Sequence, residues 1–185
     1  MLHRRPMEDD NGGGTRKPMN DTTTYSSKTW LLLDNPTSSA GKIPRLAHSL
    51  NHHPVIAFTV TPSPEVWLRD HTPTLAPLKA PLPDNIFLFS LSVTKGRTLL
   101  VRLEHLFEID EPGGSLSRQA TVDMNMFAGV ALSHLEERSL TGVLSRADAD
   151  DRRKVTGPPI ADFGDAEVVV DPKDIRTFHA EYEVL

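Results

Sequence analysis

The feature that most constrains this chain is an alternation of apolar and polar residues between Asn85 and Phe107. Asn85-Ile86-Phe87-Leu88-Phe89-Ser90-Leu91-Ser92-Val93 is followed by Thr94-Lys95-Gly96 and then by Arg97-Thr98-Leu99-Leu100-Val101-Arg102-Leu103-Glu104-His105-Leu106-Phe107. In the second run Leu99, Val101, Leu103, His105 and Phe107 share one face of a strand, while Arg102 and Glu104 point the other way. A period of two suits a β-hairpin with one buried face, and such a face demands a second layer to cover it. Further strands are predicted near Ala120–Met124, Glu167–Val170 and Ile175–Glu183, with a mixed stretch from Gly129 to Leu144. Turns such as Asp110-Glu111-Pro112-Gly113-Gly114 divide them. Short strands of this kind read as an all-β sandwich beginning near Leu82-Pro83.

The first 82 residues are different. Residues 1 to 24 are polar and carry Asn11-Gly12-Gly13-Gly14, which favours loop over packed element. Two short strand candidates follow, Thr29–Leu33 and Val55–Val60, with a short helix around Arg45–Leu50 between them. Two strands and a helical turn do not make a stable core, so this half reads as the end of something larger. Asp148-Ala149-Asp150-Asp151-Arg152-Arg153-Lys154 has no apolar periodicity and reads as an exposed loop.

Composition narrows the function classes. With Cys 0, disulfides, thiolate nucleophiles and cysteine-ligated zinc are excluded. A net charge of −5 gives no basic footprint for nucleic acid and no polybasic membrane anchor. The longest apolar runs, Val55–Val60 and Ile86–Val93, fall far short of a bilayer span. Met1 to Asp10 lacks the apolar core of a secretory signal, so no targeting signal is expected in this chain.

Candidate chemistry is sparse. His52-His53 is the one adjacent histidine pair, but neighbours on a strand face opposite ways, which suits a surface loop better than a shared metal. His105 lies on the apolar face of its strand, where a core histidine bonded to a neighbour is expected. Asp148, Asp150 and Asp151 lack the glycine and the bidentate glutamate of a calcium loop. Asp9-Asp10 is a carboxylate pair without a visible cleft. Asn20-Asp21-Thr22 fits the N-glycosylation sequon. No nucleophile elbow, phosphate loop or dinucleotide fingerprint is present, so no catalytic and no metal-ligating residue is assigned.

Several ordered segments carry a family resemblance. Leu99-Leu100-Val101-Arg102-Leu103-Glu104-His105-Leu106-Phe107-Glu108, then Leu116-Ser117, Ala120-Thr121-Val122-Asp123-Met124 and Asp174-Ile175-Arg176-Thr177-Phe178 closely resemble the C-terminal end of lysosomal-type α-mannosidases of glycoside hydrolase family 38. Leu82-Pro83-Asp84-Asn85 lies in register. Upstream, Leu2-His3-Arg4-Arg5, Asp9-Asp10-Asn11, Pro18-Met19-Asn20-Asp21-Thr22 and Trp30-Leu31-Leu32-Leu33-Asp34 resemble the family's preceding segments.

The resemblance implies that residues 1–82 are the incomplete tail of a mutarotase-like super-sandwich domain and residues 83–185 a C-terminal immunoglobulin-like β-sandwich. It implies that zinc, the aspartate nucleophile and the acid/base carboxylate reside in an upstream α/β barrel, with no cofactor in this chain. In the family a loop carrying Arg-Gly reaches the sugar pocket. The matching substrate-binding loop here is Asp10, Asn11, Gly12 and Gly13; the arginine is absent, which leaves a backbone carbonyl at Gly12 to meet a sugar hydroxyl. The expected function is therefore the non-catalytic C-terminal β region of an enzyme that removes terminal α-mannose from glycans. Its expected partners are the barrel and a mannose-containing glycan, with neither nucleic acid nor membrane. Its expected location is the lysosome or vacuole. A stand-alone carbohydrate-binding or interaction module is the alternative; it would need exposed aromatics, and Trp30 and Trp67 are the only indoles.

Overall fold

The computed structural model describes residues 24, 26–111, 114–154 and 166–185. The chain divides into two units, Met1–Leu32 and Leu33–Leu185. In the first, the described residues through Leu32 form no helix or strand, and Trp30 and Leu31 are exposed. The second is rich in strands and has few helices.

Among the described residues six strands make two antiparallel sheets. β1 (Ile86–Val93), β2 (Thr98–His105), β6 (Ile175–Val184) and β4 (Val130–Arg138) form a four-stranded sheet in the order β1-β2-β6-β4. β3 (Ala120–Asp123) and β5 (Glu167–Val170) form a two-stranded sheet. After the β1–β2 hairpin the chain alternates between the sheets. The last strand, β6, enters the middle of the larger sheet and hydrogen-bonds β2 on one side and β4 on the other.

Leu99, Val101, Leu103 and Phe178 of the larger sheet share one core with Val122, Val168 and Val170 of the smaller one. Burying each such side chain contributes about 1.5–3 kcal/mol. The hairpin expected from the alternation is present. Leu99, Val101, Leu103 and His105 are buried, and the residues between them, Leu100, Arg102 and Glu104, are half-buried on the outer face.

Two bulges explain where the alternation was hard to read. In β1 the register shifts between Leu88 and Ser90, so Ile86 and Leu88 share a face with Leu91 and Val93. In β4 it shifts between Ser133 and Leu135, with His134 at φ +42°. Val130 and Leu132 then face the core together with Leu135 and Glu137. The mixed stretch from Gly129 is therefore a strand with an interrupted period.

Three further expectations need correction. Thr29–Leu33 and Val55–Val60 are not strands and belong to no regular element, because no partner among the described residues completes their backbone ladders. The short helix is longer than expected. α1 (Pro36–Asn51) starts at Asn35, whose side chain accepts from the Ser38 N–H at 2.8 Å, and it runs through Pro44. A second helix, α2 (Pro64–Asp70), is capped by Ser63. The charge run is also helical rather than a loop. α3 (Arg146–Arg153) is capped by Ser145 and ends in a left-handed Lys154, and only Ala149 is buried on it. With one buried residue it has no apolar stripe to read.

Packing continues across Leu82-Pro83. Lys79 N–H donates to the Met126 carbonyl at 2.7 Å and Ala128 N–H to that of Pro77 at 2.9 Å, while Leu78 and Leu82 pack against the core. At the turn after β4, Gly142 adopts φ +77°, and an added Cβ would come within 3.1 Å of Leu100.

Candidate functional site

The charged residues closest to a built site sit inside the sandwich. β6 places Arg176 and β4 places Glu137 on the core face, where their side chains are 7% and 1% exposed. The guanidinium forks onto the carboxylate: Nε donates to Oε1 at 3.0 Å and Nη2 to Oε2 at 2.5 Å. Nη1 donates to the Val169 carbonyl in β5, which ties the two sheets together. Arg176 also lies over the Phe178 ring, 5.5 Å from its centroid.

From α3, Arg146 donates to Glu137 Oε1 at 3.1 Å and to Asp150 at 2.8 Å. Burial works against the Arg146 charge, but the hydrogen bond to Asp150 and the Glu137 carboxylate outweigh it and hold the guanidinium above its ordinary range. Asp174 is pushed up, first by burial and then by Asp171, with Arg176 and Arg146 partly offsetting this. The network is saturated, so its physical role is to hold sheets and helix together. The Asp174–Phe178 segment of the family resemblance is thereby explained by packing.

His105 is the second buried polar centre. Its ring is fully buried; Nε2 lies 2.8 Å from the Arg118 carbonyl, which accepts from Asn85 Nδ2 at 2.9 Å, and 3.1 Å from Asn85 Nδ2 itself. Nδ1 lies 2.9 Å from the carbonyl and 3.2 Å from the N–H of Phe107. Every ring nitrogen is used locally, as expected of a core histidine.

Two open cavities lie nearby. One of about 320 Å³ sits between α1 and β1, lined by Arg45, His48, His52, Leu82, Asp84 and Phe87 among others. The other, about 200 Å³, lies between residues 79–83 and the β3 to 126 segment. His52 and His53 are both exposed; His52 is the C-cap of α1 and its ring lies 5.0 Å from that of Phe87. Asp148 accepts from the hydroxyl of Ser145, the N-cap of α3, at 2.7 Å, Asp150 pairs with Arg146, and Asp151 is exposed. Trp67 stacks on His71 within the α2 segment. Among the described residues no three of His, Cys, Asp or Glu converge as metal ligands. Asp10, Asn11, Gly12, Gly13 and Asn20 lie outside the described residues.

The most conspicuous surface is apolar. Val55, Phe58 and Val60 are 96%, 93% and 101% exposed, and Ile56 is exposed with them. Phe89, Leu91 and Val93 at the far end of β1 are exposed as well. Contiguous exposed apolar segments of this kind mark interaction surfaces. The run Val55–Val60 was visible in the sequence, but its exposure was not.

These elements define a β-rich region with two sheets around one core and, among the described residues, no catalytic constellation. No protein-family model matches the chain. Over 150 residues it is 30% identical to a lysosomal α-mannosidase of Dictyostelium discoideum, covering 77% of this chain and 15% of that protein. Over 113 residues it is 33% identical to the lysosomal α-mannosidase of Felis catus, covering 57% and 11%. The epididymis-specific α-mannosidase of Homo sapiens is 29% identical over 227 residues, covering 99% and 21%. The chain belongs with the lysosomal-type α-mannosidases and spans 11% to 21% of the length of these relatives. Among the described residues no helix is long and apolar enough to cross a membrane.

Proposed function

We propose that this chain serves as the non-catalytic C-terminal β region of a zinc-dependent, retaining α-mannosidase acting on terminal α-mannose in glycans. Residues 1–82 are the tail of a mutarotase-like domain, and residues 83–185 are an immunoglobulin-like sandwich. The reading rests chiefly on the Val55–Val60 segment, whose apolar side chains and unpaired backbone call for a sheet that the described residues do not supply. That sheet belongs to the remainder of the enzyme, whose barrel carries the zinc and both carboxylates. The loop Asp10 to Gly13 lends the Gly12 carbonyl to the sugar pocket, and Asn20 is a glycan acceptor where the chain enters the secretory route. The location is the lysosome, which the names of several relatives support, or the vacuole.

An immunoblot against residues 84–185, with peptide mass spectrometry of the band, tests this. The expected result is a polypeptide several times larger than 20.5 kDa, or a band near that size that co-purifies with barrel peptides. A 20.5 kDa band free of any barrel peptide would overturn the proposal.

A further inference from the structure

The C-terminal turn of α1 carries a histidine arrangement that the core of the sandwich does not use. Of the eight histidines, only His48 and His52 stand four residues apart. Helical geometry holds that spacing to the end of α1, since the His52 N–H donates to the His48 carbonyl at 2.9 Å. Residues so spaced lie on one helix face, about 5–6 Å apart at Cβ. The two rings accordingly stand nearly parallel, 13° apart in plane and 5.8 Å between centroids. Both line the open cavity of about 320 Å³ between α1 and β1. His48 is half-buried and His52 is exposed.

A second observation concerns the strand next to them. Glu104 Oε2 on β2 is buried and accepts no hydrogen bond among the described residues. It stands 4.0 Å from His48 Nε2, beyond hydrogen-bond reach. A buried carboxylate oxygen left in that state is costly, and an anion brought into the cavity would add repulsion. A cation would relieve it. Imidazole pairs select zinc, copper and nickel, whereas calcium and magnesium ask for oxygen donors throughout.

We propose that His48 and His52 chelate a divalent late transition-metal ion of the zinc–copper class in this cavity, with Glu104 as the carboxylate behind His48. The protein supplies two ligands, consistent with no three donors converging among the described residues, and water completes the shell. The rings are stacked rather than aimed at one point, so binding turns the exposed His52 ring about its own side-chain torsions. Glu104 acts through His48, as carboxylates behind metal-bound imidazoles do, by orienting the ring and raising its basicity. Because His48 lies in the last turn of α1 and His52 caps it, the ion clips the helix end. It thereby fixes the point from which the chain leaves toward Val55–Val60.

The test is calorimetric titration of the full, chelator-stripped chain with Zn²⁺ and with Cu²⁺ at neutral pH. One equivalent of either ion should bind, Cu²⁺ more tightly, and neither Ca²⁺ nor Mg²⁺ should compete. Substoichiometric Cu²⁺ should broaden the ring resonances of His48 and His52 before those of any other histidine. His48→Gln and His52→Gln should each weaken Zn²⁺ binding by about tenfold or more. Glu104→Gln should weaken it about tenfold while amide exchange in β2 and β6 stays unchanged. His53→Gln and His71→Gln should bind as the unaltered chain does. The absence of Zn²⁺ and Cu²⁺ binding, affinity that survives His48→Gln, His52→Gln or Glu104→Gln, or broadening that begins at other histidines would overturn the site.

Discussion

Residues 53–61 and strands β1 and β2 are comparably apolar, yet one segment is bare and the other lies at the centre of a core. Val101 and Leu103 are fully buried, whereas Phe58 and Val60 are almost wholly exposed. Local sequence does not explain this, since both runs have strand composition. The difference is that β2 finds β1 and β6 on its two sides, and 53–61 finds no ladder partner among the described residues. Apolar content sets what a segment needs; topology decides whether the need is met within the chain.

The comparison breaks most severely at the closing strand. Deleting Ile175–Leu185 removes the partner of both β2 and β4, and the cooperative urea transition should disappear altogether. Deleting Val55–Val60 should leave that transition in place. The next largest effect belongs to the buried fork. Glu137→Ala strands the Arg176 charge and should cost about 3–5 kcal/mol in urea unfolding. The double change Glu137→Leu with Arg176→Met should recover most of that loss, because it removes both charges together.

Smaller changes sharpen the picture. Asn35→Ala removes the N-cap of α1 and should cost about 1 kcal/mol of helix stability, read as faster amide exchange in Pro36–Asn51 with the sandwich unchanged. Asp174→Asn should stabilise slightly at neutral pH. Burial raises the Asp174 carboxyl above its unfolded value, so the folded chain holds that proton more tightly and the charged form costs stability at neutral pH. The gain should shrink as pH falls through the titration of Asp174, which thermal melts at pH 7 and pH 4 would reveal. Smallest of all, Phe58→Ser should change stability by no more than about 0.5 kcal/mol, since the ring touches little in the folded unit.

Much of the sandwich was legible because β2 keeps its period of two without interruption, with Leu99, Val101, Leu103 and His105 on one face. β4 was harder, because the bulge at His134 moves Leu135 and Glu137 onto the face of Val130 and Leu132 and breaks the period. α3 escaped because it buries one alanine. Glu137 was invisible as a core residue: its meaning depends on Arg176, 39 positions away in sequence. The role of His105 could be read from its place on an apolar face. The approach of His48 Nε2 to Glu104 Oε2, 4.0 Å apart, could not, since it joins a helix to a strand across long sequence separation. Asp34 shows the local case, where hydrogen bonds from Lys42 and then Ser38 and the Asn35 N–H bring the carboxyl down to about 2.

The most direct test of the central claim is amide hydrogen exchange along this chain, first alone and then within the larger polypeptide or complex that carries the barrel. The account predicts strong protection of β1, β2, β4 and β6 in both settings. It predicts free exchange of Val55–Val60 in the isolated chain and protection of the same amides once the rest of the enzyme is present. Protection of Val55–Val60 in the isolated chain, or free exchange of those amides within the larger assembly, would contradict it.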